Sequence, residues 1–194
     1  MRKAVFLDRD GVINEVRSQR VHYVNKAEDV FLLPGVPQAV QALKEAGYLV
    51  FIVTNQGGIG LGYMSSAQLH AVHRQLLQLL EKDGAVIDDI AYCPHRPGAG
   101  CLCRKPEPGM ILDLAQKHRV HLPQCYTIGD RAPDTAAGRL AGTRTIRILS
   151  GQQTDPDTNA DLTAGSLLEA ALLIVQEQLQ EQAKQAQRSS SSNS

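Results

Sequence analysis

The chain has 194 residues, of which 43% are hydrophobic and 21% are charged. This composition is close to that of soluble globular proteins and unlike that of disordered or disulfide-dense chains. Its 20 basic and 20 acidic residues give a net charge of zero, so no general attraction to nucleic acid or to an anionic membrane is expected. The length favours one α/β domain with a small insertion over two independent domains.

The longest apolar runs are too short to cross a membrane. Residues 48–53 and 170–175 form runs of six residues each, whereas a transmembrane helix needs about 20. The apolar run after Arg2 and Lys3 ends at Asp8, which is too short for the core of a signal peptide. We therefore expect a cytoplasmic protein with no membrane partner.

Apolar periodicity predicts strands that alternate with helices along the chain. In chain order we predict a strand at 4–7, a helix at 35–46, a strand at 48–53, a helix from Ser65 to near Gly84, a strand at 90–93, a helix around 111–118, a strand at 125–128, a short helix at 136–141, a strand at 146–148 and a helix from 165 to about 187. This order is typical of an open, mostly parallel, Rossmann-like sheet with helices on both faces. Ligands bind such sheets beyond the carboxyl ends of the strands.

We assign residues 1–187 to this single domain and residues 188–194 to a disordered, serine-rich tail. Inside the domain, residues 94–108 hold four prolines and two glycines. Such a stretch cannot form an ordinary helix or strand, so it needs another source of order. A bound metal could supply it.

Three of the four cysteines lie within eleven residues, beside a histidine. Cys93, His95, Cys101 and Cys103 offer three thiolates and one imidazole, the ligand set of a closed structural zinc site. In a reducing compartment this grouping favours a metal over disulfides. We predict a zinc-binding loop insertion at 93–103, with free cysteines in a loop as the alternative. The loop has no aromatic platform, so a zinc finger that binds nucleic acid is not expected.

Acidic and hydroxyl side chains follow three of the predicted strands. Asp8 and Asp10 follow the first strand, Thr54 follows the second, and Asp130 and Asp134 follow a later one. Because the carboxyl ends of parallel strands meet at one edge of the sheet, these side chains should converge. Carboxylates at positions i and i+2, with a third from a neighbouring strand, form a cluster of oxygen ligands suited to Mg²⁺. The alternative is that the first two aspartates only end a strand and start a turn.

These motifs, in this order, resemble those of the haloacid dehalogenase superfamily of phosphohydrolases. They are Asp8-Arg9-Asp10-Gly11-Val12, Thr54, a lysine before a helix at Lys105, and Gly129-Asp130 with Asp134. Longer segments at 8–14, 54–59, 93–95 and 101–106 further resemble the heptose 1,7-bisphosphate phosphatases and the related histidinol phosphatases. The resemblance covers roughly residues 3–149.

The resemblance implies a phosphoric monoester hydrolase that works through an aspartyl phosphate. Asp8 would be the nucleophile, and Asp10 would be the general acid and then the general base. Thr54 and Lys105 would stabilise the phosphoryl group in the transition state. Asp134 would orient the lysine.

The resemblance also implies which residues bind metal and substrate. Mg²⁺ would be held by Asp8, Asp130 and the main-chain carbonyl of Asp10. The substrate-binding residues would be Asn55, Arg104, Arg131 and Tyr23. The segment 14–33 would stand over the site in place of a large cap domain.

The substrate that the resemblance implies is a small phosphorylated sugar, D-glycero-D-manno-heptose 1,7-bisphosphate. The enzyme would remove its 7-phosphate during the synthesis of nucleotide-activated heptose for lipopolysaccharide. Histidinol phosphate is the alternative substrate, but Arg104 and Arg131 favour a substrate with a second phosphate. A hypothesis of another class is a zinc-stabilised binding module that has lost catalysis. We expect the protein to be a monomer.

Overall fold

The computed structural model describes residues 2–149 and 159–191, and in them a six-stranded sheet carries helices on both faces. The strands are β1 (Lys3–Leu7), β2 (Tyr48–Asn55), β3 (Asp89–Cys93), β4 (Tyr126–Gly129), β5 (Arg144–Ile148) and β6 (Leu162–Ala164). Their order is β3-β2-β1-β4-β5-β6, and each neighbouring pair is parallel. This architecture confirms the predicted open, Rossmann-like sheet.

The helices divide between the two faces of the sheet. They are α1 (Val36–Glu45), α2 (Ser66–Lys82), α3 (Gly109–His118), α4 (Ala132–Ala141) and α5 (Leu167–Ser191). Apolar side chains of α1, α2 and α5 pack on one face, and those of α3 and α4 pack on the other. Among these described helices, none is long and apolar enough to span a membrane.

Strand β1 shows why the central strands are apolar along their whole length. Val5 and Leu7 belong to the core under α1, α2 and α5, whereas Ala4 and Phe6 belong to the core under α3 and α4. Phe6 packs on Phe51 of β2 with 5.4 Å between ring centroids. Because both faces are covered, a continuous apolar run replaces the alternation of a half-exposed strand.

Local sequence signals set several helix boundaries. The Ser65 side chain accepts the Gln68 N–H at 3.2 Å, and the Gln68 side chain accepts the Ser65 N–H at 2.8 Å, which forms the expected capping box before α2. Helix α4 begins four residues before the predicted start at 136. There, Asp134 accepts the N–H of Arg131 at 3.1 Å, so the cap lies ahead of the alanine-rich stretch.

Two features at the C-terminal end differ from the expectation. Strand β6 was not predicted, because three residues are too few to show a periodicity. Helix α5 runs to Ser191, into three of the serines assigned to the tail. The preceding glutamines, alanines and lysine favour helix, which explains its continuation. Residues 192–194 of the predicted tail lie outside the described residues.

The order of the strands creates a crevice above β1. Strand β1 lies between β2 and β4. The sheet is extended by β2 and β3 on one side of β1, and by β4, β5 and β6 on the other side. At such a switch point the connections diverge and leave room for a ligand beyond the carboxyl ends of the strands. A cleft of about 1250 Å³ opens there, and Asp10, Asp130 and Arg104 are among the residues that line it.

Candidate active site

Lys105 is buried beside the ends of β1 and β2, between two carboxylates. Its Nζ is 2.7 Å from Oδ1 of Asp8 and 2.6 Å from Oδ1 of Asp134, and it donates to the carbonyl of Val53 at 2.7 Å. Asp8 directly follows β1, and its N–H donates to the Ile128 carbonyl of β4 at 2.9 Å. The lysine therefore joins the ends of β1 and β2 to the start of α4.

Asn55, the last residue of β2, brings Lys105 from the loop into this position. Its Nδ2 donates to the Lys105 carbonyl and its Oδ1 accepts the Lys105 N–H, both at 3.0 Å. Asn55 also lines the cleft, but both of its polar atoms are occupied by this backbone. The structure therefore gives it a supporting contact with the loop in addition to its predicted place beside the substrate.

The buried charges shift one another's proton affinity. Burial raises the pKa of Asp8 to about 7, because Lys105 offsets only part of the cost and the neighbouring carboxylates add repulsion. Burial also raises the pKa of Asp130 to about 6. For Lys105, burial alone would lower the pKa, but Asp134 and Asp8 raise it. The lysine therefore remains a cation beside carboxyl groups that are costly to ionise together.

A cluster of carboxylates next to Lys105 fits a hard divalent cation. Asp8, Asp130 and Asp134 each offer an oxygen, and these atoms lie within 4.8 Å of one another. Oδ1 of Asp130 is buried without a hydrogen-bond partner. A Cβ on Gly11, whose φ is +86°, would lie 2.4 Å from Oδ2 of Asp130, so a glycine there leaves the carboxylate its space. A cation would satisfy the unpartnered oxygen and balance the negative charges.

The carboxylate of Asp10 is engaged by three donors instead of by this cluster. Arg9 donates from Nε to Oδ1 at 3.1 Å and from Nη2 to Oδ2 at 2.8 Å, while Asn14 and Gln56 each donate at 3.0 Å. Burial alone would raise the pKa of Asp10, but Arg9 and the two amides lower it below its usual value. Gln56 Nε2 also lies 2.8 Å from Oγ1 of Thr54, so one amide connects the predicted acid and base to a predicted phosphoryl ligand.

The sequence did not indicate that these three donors hold Asp10. Arg9, Asn14 and Gln56 fall inside the quoted motifs, yet their spacing along the chain does not reveal that they converge on one carboxylate. A tight turn brings Asn14 back beside Asp10, because the N–H groups of Ile13 and Asn14 both donate to the Arg9 carbonyl, at 2.9 and 3.1 Å. The available signal for Gln56 was the run of polar residues at 54–56, which directly follows the predicted apolar strand at 48–53.

The residues predicted to bind substrate are brought to one cleft. Asn55, Arg104, Arg131 and Tyr23 all line it. Arg104 donates from Nη1 to the His95 carbonyl at 3.2 Å, which ties it to the cysteine-rich loop. Tyr23 is 58% exposed and belongs to the segment over the site. The cleft therefore combines cations near the carboxylates with an aromatic ring on its rim.

The segment at 14–33 contributes only some of its polar residues to the cleft. Arg17 and Tyr23 line the opening. Arg20 pairs instead with Glu15 and lies over the ring of Phe31. Val21, Val24 and Val30 of the segment are buried and belong to the core under α1, α2 and α5.

The second predicted metal centre forms a compact group in the loop after β3. Sγ of Cys93 is 3.5 Å from Nδ1 of His95 and 3.6 Å from Sγ of Cys101, and Nδ1 of His95 is 3.3 Å from Sγ of Cys103. Ligands of a tetrahedral zinc ion would lie about 3.8 Å apart from sulfur to sulfur and about 3.6 Å from sulfur to nitrogen. The spacing of these four atoms therefore fits a metal held by three thiolates and one imidazole.

Comparison with known proteins gives relatives for nearly the whole chain. Residues 102–170 match the HAD-hydrolase-like family model. The D-glycero-β-D-manno-heptose-1,7-bisphosphate 7-phosphatase of Rhodopseudomonas palustris is 44% identical over 148 residues, which is 73% of this chain and 80% of that protein. The enzyme of the same name from Bordetella bronchiseptica is 35% identical over 181 residues, which is 93% of this chain and 99% of that protein.

Solved structures resemble the fold over a similar extent. The crystal structure of the D,D-heptose 1,7-bisphosphate phosphatase from B. bronchiseptica, complexed with magnesium and phosphate, superposes with a TM-score of 0.79 at 33% identity, covering 91% of this chain and 99% of that one. A HAD-like phosphatase from Mesorhizobium loti gives a TM-score of 0.74 at 29% identity, covering 90% and 86%.

Proposed function

Because the chain belongs to the heptose-1,7-bisphosphate 7-phosphatase family of haloacid dehalogenase-like hydrolases, we propose that it removes the 7-phosphate of that sugar bisphosphate. The observation that carries this proposal is the position of Lys105 between Asp8 and Asp134. A buried cation beside a carboxylate nucleophile can hold phosphoryl oxygens where negative charge must be stabilised.

In the first step, the Asp8 carboxylate attacks phosphorus and forms an aspartyl phosphate. The bond between phosphorus and the sugar oxygen breaks, and Asp10 gives its proton to that oxygen. Thr54, at the end of β2, donates its hydroxyl to a phosphoryl oxygen, and Lys105 neutralises the charge on another. Three charged residues and one hydroxyl thus divide the nucleophilic, acidic and stabilising roles.

In the second step, water attacks the phosphorus of the aspartyl phosphate. Asp10, which is now ionised, takes a proton from this water, and the bond between phosphorus and Asp8 breaks to release inorganic phosphate. The donors on Asp10 favour its ionised form, so they support this base role directly. For the first step, the approach of the negatively charged phosphate raises the proton affinity of the same carboxylate.

Both metal sites belong to the proposal. Asp8, Asp130 and the main-chain carbonyl of Asp10 would hold Mg²⁺, which would screen the charge of the nucleophile against the incoming phosphate. Zinc would be held by the four residues of the loop, Cys93, His95, Cys101 and Cys103. Because four protein ligands close its coordination sphere, zinc would be structural and would fix the loop that carries Arg104 and Lys105.

The cleft also accounts for a substrate with two phosphates. With one phosphate at Lys105, the other end of the sugar would lie near Arg104 and Arg131, and Tyr23 would cover the ring. Histidinol carries a cationic amine, which these arginines would repel. We include in this proposal a cytoplasmic monomer whose partner is the small sugar substrate, not nucleic acid or membrane.

A comparison of kcat/KM across four substrates tests the proposed function. They are the two anomers of heptose 1,7-bisphosphate, histidinol phosphate and an aryl phosphate, each assayed in Mg²⁺ for phosphate release. We expect a heptose bisphosphate anomer to exceed histidinol phosphate by about 100-fold or more. A preference for histidinol phosphate would overturn the substrate assignment, and release from none of the four would favour the inactive binding module.

A further inference from the structure

Arg9 lies in the chain between Asp8, the predicted nucleophile, and Asp10, the predicted acid and base. Its guanidinium group faces the Asp10 carboxylate. Nε and Nη2 both bond to the Asp10 carboxylate, with Nη2 at 2.9 Å from Oδ1 and 2.8 Å from Oδ2. Such a fork fixes the plane of a carboxylate as well as its distance. Arg9 is only 1% exposed, so the fork is held inside the protein.

This geometry leaves Arg9 little surface with which to bind a phosphate. An arginine next to a nucleophile could serve as a phosphoryl ligand, because its planar fork suits phosphate oxygens. Arg9 is among the residues that line the cleft, but two of its three guanidinium nitrogens contact Asp10, and the third, Nη1, is buried without a hydrogen-bond partner. The side-chain contacts of Arg9 are therefore with Asp10, and only 1% of the residue is exposed towards a ligand in the cleft.

Two amides complete the hold on Asp10 from other directions. Asn14 donates to Oδ1 at 3.0 Å and to the Glu15 carbonyl at 2.9 Å, and it is fully buried. Gln56 donates to Oδ2 at 3.0 Å and contacts Thr54 Oγ1 at 2.8 Å. Each carboxylate oxygen thus receives an arginine and an amide, and the Gln56 contact fixes Asp10 relative to a phosphoryl ligand.

We propose that Arg9 is a positioning residue that holds the Asp10 carboxylate in the orientation from which it serves the leaving oxygen and then the attacking water, with Gln56 aligning it to Thr54. This inference rests on the proposed phosphatase reaction. Loss of the fork would let the carboxylate rotate while the phosphate contacts of Lys105 and Asp8 remain. The expected defect therefore lies in kcat and not in KM.

The test compares Arg9→Ala and Gln56→Met with wild type on heptose 1,7-bisphosphate and on an aryl phosphate with a good leaving group. For Arg9→Ala on the sugar we expect kcat to fall about 100-fold, within the usual range of acid–base catalysis, and KM to change less than about threefold. Added guanidinium ion should restore at least about tenfold, because the deleted group can be replaced in the space it leaves. Gln56→Met should lower kcat about tenfold.

The aryl phosphate separates the two chemical steps. Its leaving group needs no protonation, so Arg9→Ala should still release the first equivalent of phenolate in a burst. Hydrolysis of the aspartyl phosphate still needs Asp10 as base, so phosphoenzyme should accumulate on Asp8. A merely structural defect would slow the burst and the steady state alike.

Arg144→Ala is the matched control. Arg144 also makes a two-point contact with a carboxylate, at 2.8 and 2.9 Å from Glu177. It lies at the amino end of β5, whereas the site lies at the carboxyl ends of the strands. This variant should keep kcat, and guanidinium should not stimulate it.

Three results would overturn the inference. The first is a wild-type kcat and KM in Arg9→Ala. The second is a rise in KM with an unchanged kcat in Arg9→Ala, which would make Arg9 a substrate ligand. The third is a wild-type kcat in Gln56→Met. Should Arg9→Ala fail to fold, the Gln56 variant alone decides. Wild-type protein that releases phosphate from none of these esters would refute the proposed function itself, whereas active wild type with unaffected variants would refute only the role of Arg9.

Discussion

Lys105 bridges the carboxylates of Asp8, which follows β1, and of Asp134 in α4. Asp8 and Lys105 are 97 positions apart in the chain, and the lysine arrives only through the loop that follows β3. All three side chains are buried. The bridge therefore forms only when the sheet and the loop are both in place, which links the stability of the fold to the chemistry of the site.

Replacement of Lys105 by methionine should destabilise the protein as well as inactivate it. Removal of one partner from a buried ion pair leaves uncompensated charge, and such changes cost about 3 to 5 kcal/mol. We expect a loss of about 3 kcal/mol in the metal-free free energy of unfolding, measured by denaturant titration in EDTA near neutral pH.

Lys117→Met provides the control for this prediction. Lys117 also contacts a carboxylate at 2.7 Å, that of Asp89, but its side chain is 66% exposed. Exposed pairs contribute less than about 1 kcal/mol, so this variant should remain close to wild type. Equal losses in the two variants would contradict the view that Lys105 balances buried charge.

The stability of the metal-free protein should depend on pH through Asp8. The pKa of the Asp8 carboxyl group is raised from its ordinary value of 3.8 to about 7 in the folded state, so the group stays protonated up to about pH 7. Since the folded state then binds more protons than the unfolded chain, the contribution of Asp8 to the free energy of unfolding falls as pH rises from about 4 to about 7. Asp8→Asn should flatten this part of the profile, measured by thermal unfolding in EDTA.

Magnesium should counteract this loss. Mg²⁺ needs ionised carboxylates, so protons compete with it at the carboxylate cluster. The increase in Tm caused by saturating Mg²⁺ should be larger near pH 7.5 than near pH 5. An equal increase at both pH values, or an undiminished increase in Asp130→Asn, would argue against metal binding by these carboxylates.

Asp10→Asn should separate the two chemical steps. The variant keeps the nucleophile but can neither protonate the sugar oxygen nor deprotonate water, so turnover of the sugar bisphosphate should be nearly abolished. An aryl phosphate needs no acid, and the aspartyl phosphate formed from it should persist long enough to be trapped. Acid quenching followed by mass measurement of the peptide that contains Asp8 would detect it. Steady turnover without an intermediate would exclude Asp10 as the base.

Loss of thiolates from the loop should weaken the fold before it affects chemistry. Elemental analysis of the purified protein should give about one zinc per chain.

Cys101→Ser combined with Cys103→Ser should lower Tm, release the metal and raise KM, because Arg104 and Lys105 directly follow the last ligand. Mild EDTA followed by Mg²⁺ should restore wild-type activity while zinc stays bound. Absence of zinc, or free reaction of these cysteines with thiol reagents in the native state, would contradict the assignment.

The sequence predicted the parts of the site that follow strands in a fixed order. Asp8, Thr54 and Asp130 could be placed together because parallel strands end at a common edge. The compact group formed by Cys93, His95, Cys101 and Cys103 could be predicted because its ligands are close in the chain. Both predictions needed only local patterns and the direction of the strands.

Contacts that depend on side-chain direction could not be predicted in this way. Nothing in the order of residues indicates that Arg9 turns towards Asp10, or that Asn55 is occupied by the backbone of Lys105. These choices follow from which polar atoms must be satisfied once the site is buried. Strand β6 could not be predicted for another reason. It pairs with β5 through the backbone and is too short to show a periodic pattern of apolar residues.

The most direct test of the account follows the two phosphates of heptose 1,7-bisphosphate by ³¹P NMR, with wild type and Asp8→Asn in Mg²⁺. We expect wild type to convert the 7-phosphate to inorganic phosphate and to leave the 1-phosphate on the sugar, while Asp8→Asn leaves both signals unchanged. Loss of the 1-phosphate, or release of phosphate by Asp8→Asn at the wild-type rate, would contradict it.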